Sequence, residues 1–175
     1  NVMEVETPLL SKAGNTDPAI RSMQTVDGNY LRTSPEFAHK RLLAAGSGDI
    51  YEIGRVFRAG ESGRNHNPEF TMLEWYRSGF SYHQLIDEVA SLVKRCGQGA
   101  FDNWPVNILS FQQLFLEVLD IDPFAASSKS LRTTARIHGI DDIELDKRQW
   151  LDLLISTVIQ PALPKNALTF VFDFP

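Results

Sequence analysis

Residues 50–77 read IYEIGRVFRAGESGRNHNPEFTMLEWYR, the densest run of chemistry-bearing side chains in the chain. Two strand-like runs flank a polar loop. The first delivers Arg55 and Arg58, the loop holds Glu61, Arg64, His66 and Asn67, and the second delivers Glu69, Glu74, Tyr76 and Arg77. A soluble protein rarely puts so many charged groups on paired strands unless they line a site. Arginines aimed at one place suit phosphate, because a guanidinium donates two parallel hydrogen bonds to its oxygens. Carboxylates further along the same floor suit an ammonium group. Glu74 and Tyr76 stand two apart on a strand and so share a face.

The elements around this stretch must hold it in place. Residues 3–8 alternate roughly like a strand and stop at Pro8, and residues 11–28 read as loop with one short strand at 21–25. Residues 30–33 read as a short strand. Ser34 offers an N-cap hydroxyl, Pro35 takes the first helical position, and a helix runs to about Ala45 before Gly46 ends it. The loop between the two main strands is too long for a tight hairpin and can reach over a ligand. Ser81 and Gln84 form a capping-box pair for a helix whose apolar stripe is Leu85, Ile86, Val89, Leu92 and Val93, closed by Gly97. Ser110 and Gln113 repeat that signature for a helix ending before Pro123. Two further helices are expected at 130–138 and 146–159, and a buried strand at 168–174. Antiparallel strands, then helices, then one strand make an α+β pattern.

Composition bounds the rest. At 175 residues the chain fits one domain or most of one, and its 43% hydrophobic content supports a core. No apolar run approaches the roughly 18 residues of a membrane helix, and no signal peptide is visible. The chain opens inside a strand-like segment, so its N-terminus is expected to be cut from something longer. A net charge of −5 leans against a large nucleic-acid footprint. One cysteine, Cys96, excludes an intramolecular disulfide and a cysteine-based zinc cluster; it agrees with a reducing cytoplasm and reads as a helix-end packing residue. His39, His83 and His138 form no metal spacing with one another. Lys40 and Arg41 read as helix surface, Trp104 and Trp150 as core or interface packing, and the acids at 141–146 as a solvated turn and cap.

The 50–77 stretch resembles motif 2 of the class II aminoacyl-tRNA synthetases in its lysyl form. VMEVETPLL (2–10) resembles the end of their motif 1, and TSPEFAHKRLL (33–43) their lysine substrate segment. HNPEFTMLEWYR (66–77), with Trp75 and Arg77, and LSFQQLFLEVLDIDPFAASS (109–128) are more similar to a short paralogous family, the elongation factor P beta-lysine ligases. The similarity covers most of the chain. It implies a class II synthetase-like antiparallel sheet flanked by helices, with residues 1–175 as a partial catalytic domain. It also implies a cytoplasmic, ATP-dependent ligase that activates lysine or beta-lysine as an adenylate and transfers it to a lysine of elongation factor P.

The same resemblance assigns roles. Arg58 bridges the α-phosphate of ATP and the substrate carboxylate, the catalytic contact. Gly60, Glu61, His66 and Asn67 are nucleotide contacts, with Arg64 beside them. Phe70 stacks under adenine or is plain core. Ser34, Glu36, Glu74 and Tyr76 hold the amino groups of the lysine-like substrate; on their own, Ser34 and Glu36 also read as a cap and a first-turn acid. Where the family has Phe-Arg-x-Glu, this chain has Phe57-Arg58-Ala59-Gly60-Glu61. Either the acid has moved by one position or Gly60 fills its slot through its backbone.

The resemblance further implies a homodimer with Pro8 as marker. No metal ligand falls within the chain: the acids for Mg2+ and the motif 3 arginine for the γ-phosphate are not found after Phe174. The chain therefore reads as half an active site, expected to bind nucleotide weakly and not to catalyse alone. Two alternatives stay open. One is a catalytic-domain fragment of a lysyl-tRNA synthetase, with tRNA as partner, and the other a non-catalytic binding module that kept the fold.

Overall fold

The computed structural model describes all residues from 1 to 175. They form two units, Asn1–Ser81 and Tyr82–Pro175. The first carries β1 (Met3–Glu4), β2 (Leu10–Ser11), β3 (Tyr30–Leu31), α1 (Glu36–Ala44), β4 (Ile50–Phe57) and β5 (Glu69–Tyr76). β4 and β5 pair antiparallel over their full length, from Ile50 opposite Tyr76 to Phe57 opposite Glu69. Period-two alternation then puts Ile50, Glu52, Gly54 and Val56 on one face with Phe70, Met72, Glu74 and Tyr76. Ile53 and Leu73, on the other face, are exposed.

Two expectations need correction here. The strand expected over 3–8 is only Met3–Glu4, and it pairs parallel to β4, so the three-stranded sheet β1-β4-β5 is mixed rather than antiparallel. Parallel neighbours need a long crossover, and residues 5–49 with α1 provide it. The strand expected at 21–25 reduces to one bridge, Gln24 to Tyr30. α1 begins one residue later than expected: Pro35 occupies the cap position, and the Ser34 hydroxyl accepts from the Glu36 amide at 3.1 Å.

The interior of residues 1–81 is unusually polar. Beside Ile50 and Val56, the buried residues include Thr7, Arg32, Thr33, His39 and Glu52. Buried charges persist only when paired and hydrogen-bonded, and here Glu52 is paired with Arg32 and contacts His39.

Residues 82–175 carry α2 (Tyr82–Cys96), β6 (Val106–Ser110), α3 (Phe111–Leu119), α4 (Ser128–Ile137), α5 (Lys147–Leu154), a π turn (Ile155–Ile159), α6 (Gln160–Ala162) and β7 (Leu168–Phe172). Capping boxes start three helices: Ser110 with Gln113, Ser127 with Ser130, and Asp146 with Gln149. α4 thus starts two residues before the expected 130. The helix expected over 146–159 is α up to Leu154 and widens into the π turn, which keeps Ile159 buried five residues after buried Leu154. Phe111, Leu114, Phe115, Leu131, Ala135, Trp150, Leu151, Leu154 and Ile159 make one apolar core. β6 was not foreseen; it pairs parallel with β7, joined by the intervening helices. Cys96, expected to pack, is exposed, whereas Trp150 is core and Trp104 packs on Phe101 with ring centroids 4.6 Å apart.

Candidate active site

One cavity of about 1110 Å³ lies within residues 1–81. Its walls include Arg32, Ser34, Glu36, Lys40, Arg58 and Glu74. Each comes from a different local device. The 33–36 turn, held by the Ser34–Glu36 contact, presents Ser34 and Glu36 at the start of α1. The end of β4 delivers Arg58, and the inward face of β5 delivers Glu74.

Arg58 is fixed loosely. Its Nε donates to the Thr33 carbonyl at 3.3 Å, one Nη lies 3.8 Å from Glu61 Oε1, and its guanidinium sits 5.2 Å from the Phe70 ring centroid. Its side chain keeps 22% of its surface exposed. Most of its five N–H donors are therefore unspent at a cavity wall, which suits an anionic ligand such as a nucleotide phosphate. Arg55 does not join it. An odd spacing on a period-two strand turns Arg55 to the opposite face, where it lies 3.8 Å from Glu69. Arg77 lies 3.5 Å from Asp49 and over the Phe80 ring.

The loop after β4 is shaped by Gly60, whose φ of +82° belongs to the left-handed region that favours glycine. A turn between Gly63 and His66 follows. Glu61 and Phe70 are half-buried against Arg58. Gly60, Arg64, His66 and Asn67 are exposed and lie outside the cavity walls. Of the expected residues, then, Ser34, Glu36, Arg58 and Glu74 share one cavity. Tyr76, Glu61 and Phe70 touch members of that group, and Gly60, His66 and Asn67 stand on the adjoining loop.

The amine side is more tightly built. The Tyr76 hydroxyl donates to Glu74 Oε1 at 2.8 Å. Burial, then that bond, then the Glu74 and Glu36 charges push the Tyr76 phenol up, so it stays a neutral donor at physiological pH. Glu36 pairs with Lys40 across one helical turn at 2.6 Å, with both side chains about half exposed. Such a pair is weak enough to exchange for a ligand cation.

Beneath Glu74 lies a network that reading the sequence missed. Glu52 is 3% exposed and sits opposite Glu74 in the β4–β5 register. Its Oε1 is 2.6 Å from Arg32 Nη1; its Oε2 accepts from the Thr7 hydroxyl at 2.6 Å and faces His39 Nε2 at 3.0 Å. Burial alone would raise the Glu52 carboxyl, but the bonds from Thr7, Arg32 and His39 outweigh it and hold it below the usual carboxylate range. Arg32 also donates to the Arg55 and Thr7 carbonyls. Gly54 makes the room: a Cβ there would lie 2.3 Å from an Arg32 nitrogen. His39, read from the sequence as unremarkable, is fully buried, with Nδ1 3.9 Å from Glu74 Oε1 and its ring edge-on to Tyr76. The available signal was an acid, Glu52, among Ile50, Gly54 and Val56 on the otherwise apolar inward face of β4.

No three or more His, Cys, Asp or Glu side chains gather where together they could hold a metal ion. No helix is long and apolar enough to cross a membrane.

Comparison with known proteins bears on this geometry. The elongation factor P–(R)-beta-lysine ligase of Vibrio cholerae is 44% identical over 190 residues, covering 100% of this chain and 56% of its own length. The ligases of the same name from Photorhabdus laumondii and Yersinia enterocolitica are each 45% identical over 186 residues, covering 99% of this chain and 56% of theirs. The chain thus spans about half the length of these curated relatives. The family model of class II tRNA synthetases (D, K and N) matches residues 1–175, and the chain belongs to that family.

Proposed function

We propose that this chain forms the nucleotide- and amine-binding part of an ATP-dependent ligase that activates lysine or beta-lysine as an adenylate and passes it to a lysine side chain of elongation factor P. The observation that carries this reading is the shared cavity: Arg58 stands on the same wall system as Glu36 and Glu74. A guanidinium beside the α-phosphate can also grip the substrate carboxylate. Holding both reactants in line while neutralising charge on phosphorus is most of what adenylation asks of a protein. Glu36, Glu74 and Ser34 would bind the substrate's amino groups, with Tyr76 holding Glu74. Phe70, Gly60, Glu61, His66 and Asn67 would attend the nucleotide. ATP supplies the leaving pyrophosphate, and Mg2+ would neutralise charge on its phosphates. The printed names of the relatives support elongation factor P as acceptor.

We further propose a cytoplasmic homodimer, paired through the segment that includes Pro8. The deciding experiment is mass spectrometry of elongation factor P after incubation with the full-length protein, ATP and each candidate amino acid. The expected result is a mass gain of one lysine-type residue on a lysine side chain. Charging of tRNA instead, with no change in elongation factor P, would move the assignment to a lysyl-tRNA synthetase. Neither product would leave a binding module that kept the fold.

A further inference from the structure

We propose that His39 is a positioning residue for the amine-binding carboxylate Glu74, anchored from behind by Glu52 and Arg32. The inference rests on the functional reading above and goes one layer deeper into the same site. Glu52 and Glu74 face each other across β4 and β5, an arrangement that like charges disfavour. The imidazole of α1 stands between them. Nε2 faces Glu52 Oε2 at 3.0 Å, and because an ionised carboxylate only accepts, the proton of this contact is on Nε2. Nδ1 is then directed at Glu74 Oε1, 3.9 Å away, with no hydrogen-bond partner of its own although it is fully buried. A buried ring nitrogen without a partner is rare enough to ask what it serves.

Glu52 is itself immobile. Thr7 and Arg32 hold both of its oxygens, and Arg32 is locked to two backbone carbonyls in space left by Gly54. The ring therefore cannot slide, and the Tyr76 ring packs edge-on against it at 5.4 Å. At Glu74 Oε1 the Tyr76 hydroxyl donates a hydrogen bond, whereas His39 Nδ1, an acceptor once the proton is on Nε2, bounds that oxygen at 3.9 Å by packing and not by a bond; neither engages Oε2. Oε2 is the oxygen then offered to an incoming ammonium. A flexible apolar side chain at 39 fills the volume but does not fix which oxygen is offered, nor how far Glu74 stands from Glu52.

The test is steady-state amino-acid-dependent ATP–pyrophosphate exchange in the full-length protein, comparing His39→Met, His39→Gln and Glu74→Gln. The expected result for His39→Met is a rise of about tenfold in KM for the amine substrate, with KM for ATP within about twofold of wild type. His39→Gln places an amide nitrogen near the Nε2 position and keeps the Glu52 contact. It serves if the methionine variant does not fold, and a rise of several-fold in the amine KM is expected. Equal changes in both KM values, or a lower melting temperature with both KM values unchanged, would mean that His39 only supports the fold and would overturn the proposal. If Glu74→Gln raises the amine KM and the His39 variants do not, the role of His39 alone falls. If Glu74→Gln leaves it unchanged, the amine-binding reading of the site falls with it.

Discussion

Arg58 is the residue most exposed to test, because its protein contacts are long and its donors point into a cavity. A side chain that served structure would be expected to hold shorter bonds. Arg58→Ala should therefore cost little stability but about 10²–10³ in the rate of amino-acid-dependent pyrophosphate exchange by the full-length protein. Arg58→Lys should restore little, since an ammonium cannot make the same planar two-point contact. Glu52 behaves in the opposite way. It is buried, and its removal strands Arg32, so Glu52→Gln should destabilise the protein by about 3–5 kcal/mol in denaturant titration. Its carboxyl is depressed in the folded protein. The stability it contributes is thus fully present above the ordinary glutamate value near about 4.3 and is lost as pH falls through the lower folded value. Acid unfolding of the wild type should show this loss below about pH 4.3, and Glu52→Gln should show less of it. The ion pairs of the surface, such as Glu36–Lys40, should show no comparable effect.

At the scale of elements, what could be read from the sequence was what local chemistry dictates. The capping pair at 110/113 and the cap among the acids ending at Asp146 mark helix starts because a side-chain oxygen must satisfy amides that have no helical partner. Asp146→Ala should accordingly cost about 1 kcal/mol, measurable as a fall in melting temperature of residues 82–175 in the intact chain. The β4–β5 pair was legible for the same reason: long alternation needs no distant partner to declare itself. β6 was not, because five residues that include Asn107 become a strand only when β7, some sixty residues away, lies beside them. β1 looked longer than it is, since Pro8 and the hydrogen-bonding duties of Thr7 draw the chain out of the sheet after the Val5 amide has bonded the Tyr51 carbonyl. His39 escaped for a related reason. Nothing within α1 distinguishes a buried helix histidine from a solvated one; the distinction is made by Glu52 and Glu74 on the strands beneath it. The residues that share the cavity were found through a resemblance spanning many positions, and no single spacing would have gathered Ser34, Glu36, Arg58 and Glu74.

At the scale of the whole molecule, the chain spans about 56% of the length of its relatives. We propose that the 175 residues alone bind ATP more weakly than the full-length protein and show less pyrophosphate exchange. Calorimetric titration with ATP and an exchange assay would check both, and robust turnover by these residues alone would contradict the expectation. Light scattering at high concentration should report a dimer of the full-length protein; a strict monomer would remove the proposed pairing through the Pro8 segment.

The void at Gly54 has a history written into it. A guanidinium and a bare backbone occupy one volume between them, so positions 32 and 54 are free to drift only as a couple. Ancestors and descendants that acquired any side chain at 54 should have surrendered the long cation at 32 in the same stretch of evolution. In the laboratory Gly54→Ala should lower the melting temperature, and a rescue should need Arg32 and Glu52 replaced together, since either left alone is a buried unpaired charge.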